Sequence, residues 1–348
     1  MEPVSQTNNI PQTSGLEQIV SDEKTERTGA EILVDRLIKE GVKYILGHTG
    51  GAVIPIHDEL DRRYENEEPA PKRIIFRQEG AAGHAAEGYA AASGRVGVVL
   101  ATSGPGATNL VTPTADANMD SRPVVFITGQ VGQELIGKDA FQEVDITGIT
   151  LPITKHNYLV KEADDIEEDI RQAFDIASTG RPGPVLVDIC KNALTEKSNN
   201  RYKSKPLAHY NPKIKMNKTI ANKLLEDLLE HKKPVILAGG GIISSGTSNQ
   251  LCEFAEKYKI PVALTLMGLG TIRYDNKLYL GMPGMHGTIP ANRALNYTDF
   301  MVGIGVRFDD RVAVNGFKDG KKIAHVDLDA AELNKNIPAN YPLHADAN

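Results

Sequence analysis

The stretch that decides the fold is residues 77–131, which read RQEGAAGHAAEGYAAASGRVGVVLATSGPGATNLVTPTADANMDSRPVVFITGQV. Two continuous apolar runs, VGVVLAT and PVVFITG, alternate here with segments rich in Ala and Gly. Such runs are typical of parallel strands that are buried on both faces of a sheet. Glu79 stands where a strand gives way to a helix, and the Gly-rich turn TSGPGATN follows the next strand. A carboxylate beside two tight turns suits a site for the polar ring of a cofactor.

The alternation of strand and helix extends over most of the chain. In the first half it predicts helices at 30–38, 54–64, 80–93, 108–119 and 164–178, and strands at 44–47, 73–77, 96–102, 123–129 and 184–189. In the second half it predicts a helix at 218–230 and strands at 234–238, 262–265, 300–304 and 322–326, with no obvious closing element after AELNKN. The pattern indicates an α/β protein with two doubly wound parallel-sheet domains.

Composition sets the domain boundaries. Residues 196–215 are polar, contain two prolines and show no periodicity, so we interpret them as a linker between domains at 27–195 and 216–348. Residues 1–26 are polar and lack the apolar core of a signal peptide, so we predict a disordered tail and a cytoplasmic protein. A length of 348 residues also favours more than one hydrophobic core.

Charge and cysteine content exclude several classes of function. The net charge is −6 and no long Lys/Arg run occurs, which argues against a nucleic-acid groove. Cys190 and Cys252 lack CxxC spacing, which argues against a disulfide framework or a zinc site. No apolar run approaches the ~20 residues that a membrane span needs. The sequence therefore predicts a protein that binds neither nucleic acid nor membrane.

Three Gly-rich turns follow predicted strands of the second half: AGGGIISSG, MGLGTIR and GIGVRF. None completes the G-x-G-x-x-G fingerprint, so each by itself is better explained as a tight turn. Together, at successive strand ends, they indicate a ligand at the carboxyl edge of the sheet. The charged run RFDDR is either a solvated ion-pair cluster or a set of ligands, because Arg can bind a phosphate or a carboxylate through two hydrogen bonds. The run HVDLD could offer a carboxylate to ribose hydroxyls.

Two explanations of Glu79 stay open on spacing alone. A Glu in the first turn of a helix commonly interacts with the helix dipole. The same carboxylate could instead serve catalysis, because it stands at the predicted ligand edge. His84 and His156 are better explained as packed or surface histidines than as catalytic residues.

Taken together, the motifs resemble the large catalytic subunit of acetohydroxyacid synthase (acetolactate synthase), a thiamine-diphosphate enzyme that also carries FAD. The resemblance covers nearly everything after Thr28 and rests on ten ordered motifs: GGAVIPIHDEL, RQEGAAGHAAEGYA, TSGPGATNLVT, FQEVDITGIT, ITKHNYLV, GRPGPVLVDI, TLMGLGT, GMHGT, GVRFDDR and HVDLD. It implies three domains, which bind the aminopyrimidine of thiamine diphosphate, FAD, and the diphosphate through Mg2+. The Gly-Asp-Gly…Asn motif of the last does not occur here, so we expect a truncated or fragmentary synthase whose Mg2+ ligands lie in the missing domain.

The resemblance also assigns roles to individual residues. Glu79 and Gln142 are implied to be catalytic, Glu79 by controlling the tautomer of the cofactor's aminopyrimidine. Thiamine diphosphate is implied to contact Glu79 and also Gly50, Gly51, Pro105 and Asn109. Substrate binding is implied for Phe141, Lys155 and Arg311. FAD binding is implied for Arg181, Gly239, Gly240, Thr265, Leu266, Met267, Met285, His286, Gly305, Arg307, Asp309 and Asp329.

One departure from the family concerns the turn before Gly50. The family usually has Tyr-Pro there, whereas this sequence has His48-Thr49. We therefore expect a looser turn and an altered cofactor contact at this position.

The implied reaction is decarboxylation of pyruvate and ligation to a second 2-keto acid, pyruvate or 2-ketobutyrate. The products would be acetolactate or acetohydroxybutyrate, precursors of valine, leucine and isoleucine. The family works as a homodimer or tetramer, often with a small regulatory subunit. Alternatives are a pyruvate oxidase, a 2-keto-acid decarboxylase or the FAD-free catabolic acetolactate synthase, which RFDDR and GMHGT disfavour. A non-catalytic, truncated flavin-binding module is a further alternative.

Overall fold

A computed structural model describes residues 26–198, 207, 210–312 and 320–348. The described chain divides into two compact units, with the boundary between Tyr210 and Asn211. This boundary falls inside the stretch that we interpret as a linker, part of which lies outside the described residues. The predicted disordered tail lies outside them as well, except for residue 26, so it stays a prediction.

The first unit alternates strands with helices, as the sequence predicts. Its strands are β1 Arg27–Thr28, β2 Tyr44–Gly47, β3 Lys72–Ile75, β4 Gly97–Ala101, β5 Val124–Gln130, β6 His156–Val160, β7 Val185–Cys190 and β8 Lys197–Ser198. Its helices are α1 Gly29–Lys39, α2 Ile54–Glu65, α3 Glu79–Ser93, α4 Pro105–Thr108, α5 Val111–Met119, α6 Ile146–Thr150, α7 Ile166–Ser178 and α8 Lys191–Thr195. Short 3-10 turns lie at 133–135, 151–153 and 163–165.

Six strands of the first unit form one parallel sheet in the order β3-β2-β4-β5-β7-β6. Side chains of successive residues point to opposite faces of a strand, and both faces are apolar. Val98 and Leu100 belong to a core on the face with α1, α2 and α7, whereas Val99 and Ala101 belong to a core on the face with α3 and α5. This confirms the doubly wound α/β prediction and explains why the strands read as continuous apolar runs.

Local chemistry sets the ends of several helices. Thr28 and Glu31 form a capping box at the start of α1, in which each side chain accepts the other residue's backbone N–H. The single helix that we predict at 108–119 is wrong in one respect, because two helices, α4 and α5, occupy 105–119. Pro105 is the first residue of α4, a position where its missing N–H costs nothing.

The second unit has the same architecture. Its strands are β9 Pro234–Ala238, β10 Val262–Leu264, β11 Tyr279–Gly281, β12 Phe300–Ile304, β13 Lys322–Asp327 and β14 Tyr341–His344. Its helices are α9 Lys218–Glu230, α10 Gly240–Ser244, α11 Ser248–Tyr258 and α12 Ile289–Tyr297, with a 3-10 turn at Leu266–Gly268. All strands pair in parallel, in the order β11-β10-β9-β12-β13-β14. The second doubly wound sheet is therefore confirmed.

Several elements were not predicted from the sequence. The expectation that nothing closes the second sheet is wrong, since β14 pairs with β13 at its edge. Pro342 lies within β14, and proline is tolerated in a strand only at an edge such as this. β11 has three residues and β6 reads HNYLV with only Val160 buried, so neither shows the continuous apolar run of a central strand. None of the helices in the described ranges has the length and hydrophobicity to cross a membrane.

Candidate functional site

The strand order places a crevice at the carboxyl edge of the first sheet. β2 is followed by β3 on one side, and the chain then returns to the other side of β2 to form β4. Ligands of doubly wound sheets bind where the strand order reverses in this way. The three segments that leave this point carry Gly50 and Gly51 after β2, Glu79 after β3, and Pro105 and Asn109 after β4. The sheet thus gathers predicted residues that are far apart in the sequence.

Glu79 is the first residue of α3, but it does not cap the helix. The cap is Gln78, whose side-chain oxygen accepts the N–H of Ala81 at 2.6 Å. The Glu79 carboxylate instead accepts a hydrogen bond from the Asn109 amide, with Nδ2 and Oε2 2.9 Å apart. Its other oxygen accepts no hydrogen bond from the described residues and lies 3.5 Å from where a Cβ on Gly106 would stand. The geometry holds one carboxylate oxygen and leaves the second available to a ligand.

The turn after β2 is fastened to the neighbouring strands. The N–H of His48 donates to the Leu100 carbonyl at 3.1 Å, and its ring Nδ1 lies 2.6 Å from the Phe76 carbonyl oxygen. Further along, the Ala52 N–H donates to the Thr102 hydroxyl at 3.3 Å. His48 therefore holds the turn to both neighbouring strands, and the expectation of a looser turn with an altered cofactor contact stays a prediction.

The two glycines of this turn have different neighbours. A Cβ on Gly50 would stand 2.4 Å from the Thr102 Cβ, so glycine there is required by packing within the protein. A Cβ on Gly51 would meet no atom within 4 Å. The open space at Gly51 leaves room for a group that approaches the backbone from outside.

The turn after β4 contacts the loop that carries Phe141 and Gln142. Gly104 has φ +57°, and a Cβ on it would stand 2.6 Å from the carbonyl oxygen of Gln142. Gln142 itself has φ +59°, which is uncommon for a residue other than glycine. Phe141 is 87% exposed, so its ring is accessible to a ligand. The structure thus brings Gln142 to the same edge as Pro105 and Glu79.

A groove of about 420 Å³ runs beside this edge between α3 and the α4–α5 segment. Its lining residues are Gln78, Gly80, Ala81, His84, Thr108, Asn109, Thr112 and Pro113. Beside it, His84 Nδ1 lies 3.5 Å from Glu87 and 3.3 Å from Asp116. Burial and the Asp116 charge raise the pKa of Glu87. His84 is half exposed, in keeping with the surface role that we expect for it.

Lys155 and Arg181 lie at the opposite, amino edge of the first sheet. Lys155 precedes β6, and its ammonium donates to the Ile176 and Thr179 carbonyls at the end of α7, the latter at 2.7 Å. Burial, and then the nearby Arg181 charge, lower the pKa of Lys155 to about 8. Arg181 precedes β7 and donates to the Ser121 hydroxyl at 2.9 Å. The structure does not bring these two residues together with Glu79 and Gln142.

The second sheet has its own crevice, between β9 and β12, where its strand order reverses. Gly239 after β9 and Gly305 after β12 meet there. A Cβ on Gly239 would stand 2.0 Å from the Gly305 carbonyl oxygen, and Gly305 has φ +60°. The two turns approach so closely that these glycines are required by backbone packing. This agrees with the tight-turn explanation of each motif and still places both turns at the ligand edge.

The other residues of the second unit that are assigned to FAD flank this edge. Thr265, Leu266 and Met267 follow β10, and the exposed Leu266 and Met285 leave apolar surface uncovered. A Cβ on Gly284 would stand 2.7 Å from the Arg311 carbonyl oxygen, which shows that the segment with Met285 and His286 packs against RFDDR. Arg311 is largely exposed. Arg307 is half-buried after β12, and Gly240 begins α10.

The acidic residues at this edge fold their own turns. One carboxylate oxygen of Asp309 accepts the N–H groups of Arg311 and Val312 at 3.1 and 3.3 Å. Asp329 accepts the N–H of Ala331 at 2.9 Å. Each carboxylate thus stabilises the turn that follows it by accepting backbone N–H groups of that turn.

Three further polar residues, near the carboxyl ends of β5 and β7, were not recognised in the sequence. Asp188, in β7, accepts hydrogen bonds from the Thr128 hydroxyl at 2.7 Å and the Gln130 amide at 2.9 Å, both in β5. Asp188 is 1% exposed, and burial raises the pKa of its carboxyl to about 7. An Asp within the apolar run PVLVDI is the signal that could have identified this group, because a charged residue is rarely buried without a partner.

Comparison with known proteins agrees with this geometry. Residues 27–149 match the model for the thiamine pyrophosphate enzyme N-terminal TPP binding domain, and residues 221–348 match the model for the thiamine pyrophosphate enzyme central domain. The chain is 45% identical to the acetolactate synthase large subunit of Haemophilus influenzae over 92% of this chain and 56% of that protein. It is 47% identical to that of Lactococcus lactis, over 92% of this chain and 55% of the relative.

A third relative, the acetolactate synthase of Mycobacterium bovis, is 47% identical over 92% of this chain and 51% of its own length. The chain thus spans about half the length of the curated relatives that it matches. The matches cover both crevices and the elements that form them. The chain therefore belongs to the thiamine pyrophosphate enzyme family and is similar to its acetolactate synthase large subunits.

Proposed function

We propose that this chain contributes the pyrimidine-binding and central domains of a thiamine-diphosphate-dependent acetolactate synthase. The reaction is decarboxylation of pyruvate followed by carbon–carbon bond formation with a second 2-keto acid, pyruvate or 2-ketobutyrate. The observation that carries the proposal is the Glu79–Asn109 pair at the point where the first sheet reverses its strand order. The names and similarity of the relatives support the choice of reaction.

The residues at the first crevice fit an aminopyrimidine. Asn109 orients the Glu79 carboxylate through one oxygen, and the other oxygen faces the space beside Gly106. Gly51 leaves its Cβ position open, and we assign Gly50 and Pro105 to the backbone frame of the same site. When bound, thiamine diphosphate supplies the carbon nucleophile for decarboxylation and ligation. Glu79 has the role of holding and returning a proton at the pyrimidine ring.

Substrate recognition is assigned to residues of two regions. Gln142 and the exposed ring of Phe141 border the first crevice, where they would contact the second 2-keto acid. Arg311 is exposed and can bind a carboxylate through two hydrogen bonds. Lys155 is assigned to substrate binding by the resemblance. In the structure its ammonium donates to two backbone carbonyls.

FAD is assigned to the carboxyl edge of the second sheet. Closely packed Gly turns, uncovered apolar side chains at Leu266 and Met285, and the cation of Arg307 fit a ligand that is part aromatic ring and part diphosphate. The incomplete G-x-G-x-x-G pattern favours a dinucleotide extended across strand ends over one bound on a single helix. The remaining residues of this assignment at that edge are Gly239, Gly240, Thr265, Met267, His286, Gly305, Asp309 and Asp329. Arg181, in the first unit, is assigned to FAD only by the resemblance.

The proposal also covers the domain boundaries, the metal ion, the oligomeric state and the partner subunit. The domain boundaries are 27–195 and 216–348, and Mg2+ is the ion that anchors the diphosphate. The enzyme is a homodimer or tetramer in the cytoplasm, and a small regulatory subunit binds it.

Product analysis tests the reaction. The holoenzyme that contains this chain, supplied with thiamine diphosphate, Mg2+, FAD and pyruvate, is expected to form acetolactate, and acetohydroxybutyrate when 2-ketobutyrate is added. Acetaldehyde as the main product would indicate a decarboxylase instead. Acetyl phosphate or hydrogen peroxide would indicate an oxidase. FAD binding without turnover under any of these conditions would identify a non-catalytic flavin-binding module.

A further inference from the structure

The loop between β5 and α6 has an ordered fold of its own. It runs from Val131 to Val144 and carries Phe141 and Gln142. The carboxylate of Glu143 accepts the N–H groups of Gly137 and Ala140, the latter at 3.0 Å, and these bonds lower the pKa of Glu143. The tip of the loop is therefore held together locally. These bonds do not attach the loop to the sheet. Near its start the loop is attached through the Gln133 N–H, which donates to Asn192 Oδ1 at 2.9 Å, and through Ile136, which packs against the core. The position of the part with Phe141 and Gln142 depends further on how the two ends of the loop are held.

Both ends of the loop are held by one side chain, that of Gln130 at the end of β5. Its Nε2 donates to the Val144 carbonyl at 2.7 Å, and its Oε1 accepts the Val131 N–H at 2.9 Å. Gln130 is 5% exposed, so water does not compete readily for either bond. The amide works only in this orientation, since a flip would turn its NH2 toward another N–H and its oxygen toward another oxygen.

Asp188 fixes that orientation. It lies in β7, beside β5, and its Oδ2 accepts a second hydrogen bond from Gln130 Nε2 at 2.9 Å. Its two oxygens accept the Thr128 hydroxyl and the Gln130 amide N–H, so the oxygen that faces Gln130 selects the NH2 end of the amide. No cation of the described residues forms an ion pair with it. A buried carboxylate without a cation is costly, so its presence calls for a compensating role.

We propose that Asp188 is a positioning residue that acts through Gln130 to hold the Val131–Val144 loop, and with it Phe141 and Gln142, against the Gly104 turn. The part of the proposal that concerns substrate rests on the proposed function. If Phe141 and Gln142 contact the second 2-keto acid, loosening the loop changes selection between competing keto acids more than it changes the first, decarboxylating half of the reaction.

The test compares Asp188→Leu with the matched control Thr128→Val. An amide at position 188 could keep both bonds, because the Thr128 hydroxyl can accept as well as donate, whereas Leu accepts from neither neighbour. Thr128→Val removes the other bond to the same carboxylate and leaves the clamp intact. Hydrogen–deuterium exchange of peptides within 131–144 needs neither cofactor nor substrate. It is expected to be about tenfold faster or more in Asp188→Leu, with little change in Thr128→Val.

The second measurement is the ratio of acetohydroxybutyrate to acetolactate when both keto acids compete. Asp188→Leu is expected to shift the ratio about threefold or more in the holoenzyme, with Thr128→Val close to the original protein. If Asp188→Leu does not fold, Gln130→Met removes the clamp and leaves the carboxylate in place. Equal exchange in the loop for clamp and control variants would overturn the proposal. Faster exchange in a holoenzyme that makes neither product would uphold the clamp and refute the proposed function.

Discussion

Two explanations of Glu79, interaction with the helix dipole and a role in catalysis, can be compared through the residues that contact it. Gln78 caps α3, and Asn109 from another segment binds the Glu79 carboxylate at 2.9 Å. Interaction with the helix dipole contributes only about 0.3–1 kcal/mol, whereas a positioned acid or base commonly changes a rate by about 10²–10⁴. The two explanations therefore differ in what a substitution should cost.

Glu79→Gln keeps the size and polarity of the side chain but cannot exchange a proton. We expect carboligation to fall by about a hundredfold or more, with the unfolding free energy changed by less than about 1 kcal/mol. The rate of acetolactate formation by the holoenzyme and urea unfolding are the two measurements. Gln78→Ala is the control, since it removes the helix cap and should lower stability more than rate. Near-normal turnover of Glu79→Gln would leave the dipole as the explanation.

At the scale of elements, α3 and α5 pack closely because of one glycine. A Cβ on Gly83 would stand 2.4 Å from Pro113 Cγ, whereas a Cβ on Gly88 of the same helix would meet nothing within 4 Å. The two glycines of α3 thus differ in what requires a small residue at their positions. Gly83 permits the helix contact beside the groove, and Gly88 only adds flexibility to the helix.

This difference predicts opposite effects of the same substitution. Gly83→Ala is expected to destabilise the protein by about 1–3 kcal/mol, because the added methyl group must displace Pro113. Gly88→Ala is expected to stabilise it by about 0.5–1 kcal/mol, because alanine favours a helix interior. Urea unfolding of the two variants measures both. A Gly83→Ala variant as stable as Gly88→Ala would show that the contact between α3 and α5 adjusts freely.

The end of α7 depends on Lys155, which donates to the Ile176 and Thr179 carbonyls. Its pKa is lowered to about 8 from the ordinary 10.5, so the unfolded chain binds more protons than the folded chain between these values. Stability attributable to Lys155 should therefore rise as pH increases from about 8 toward 10.5. The neutral amine still donates to carbonyls while the cost of burying a charge disappears.

Lys155→Met is the variant that checks this pH dependence. We expect the difference in unfolding free energy between the original chain and Lys155→Met to grow in favour of the original chain between pH 8 and pH 10. Chemical unfolding followed by circular dichroism at several pH values measures it. A difference that stays constant across this range would mean that the ammonium is as well accommodated in the folded chain as in water.

For the whole molecule, FAD binding is a test that needs no turnover. A ligand that binds only the folded state at about 100 times its Kd stabilises it by about 2.7 kcal/mol. We expect FAD to raise the unfolding temperature and NAD+ at equal concentration to leave it unchanged, because G-x-G-x-x-G is incomplete. The chain has no Trp, so calorimetry or circular dichroism is the suitable measurement.

A matched pair of glycine variants locates the flavin effect. Gly305→Ala would place a Cβ 2.6 Å from Gly241 Cα at the crevice, whereas Gly246 has a similar positive φ with nothing within 4 Å. Gly305→Ala should abolish the FAD-dependent shift, and Gly246→Ala should keep it after a loss of about 1 kcal/mol in stability. Loss of the shift in both variants, or in neither, would contradict the assignment of FAD to the β9–β12 crevice.

The sequence alone determined the fold class, most element positions and the segments that leave the strand ends. Apolar runs and helix periodicity are local signals, and a residue's place at the end of a strand follows from them. Glu79, Gly51 and Asn109 could be selected this way, with the family motifs giving them roles. Local signals did not reveal β14, with Pro342 inside it, or the break between α4 and α5.

Only the tertiary structure decided which of these residues meet. Strand order is a long-range property, and it places Glu79 with Asn109 at one edge of the first sheet while Lys155 lies at the opposite edge. It also places Asp188 beside Gln130, from strands that are far apart in the sequence. The physical reason is that hydrogen bonds and burial depend on neighbours in space, which periodicity along the chain does not specify.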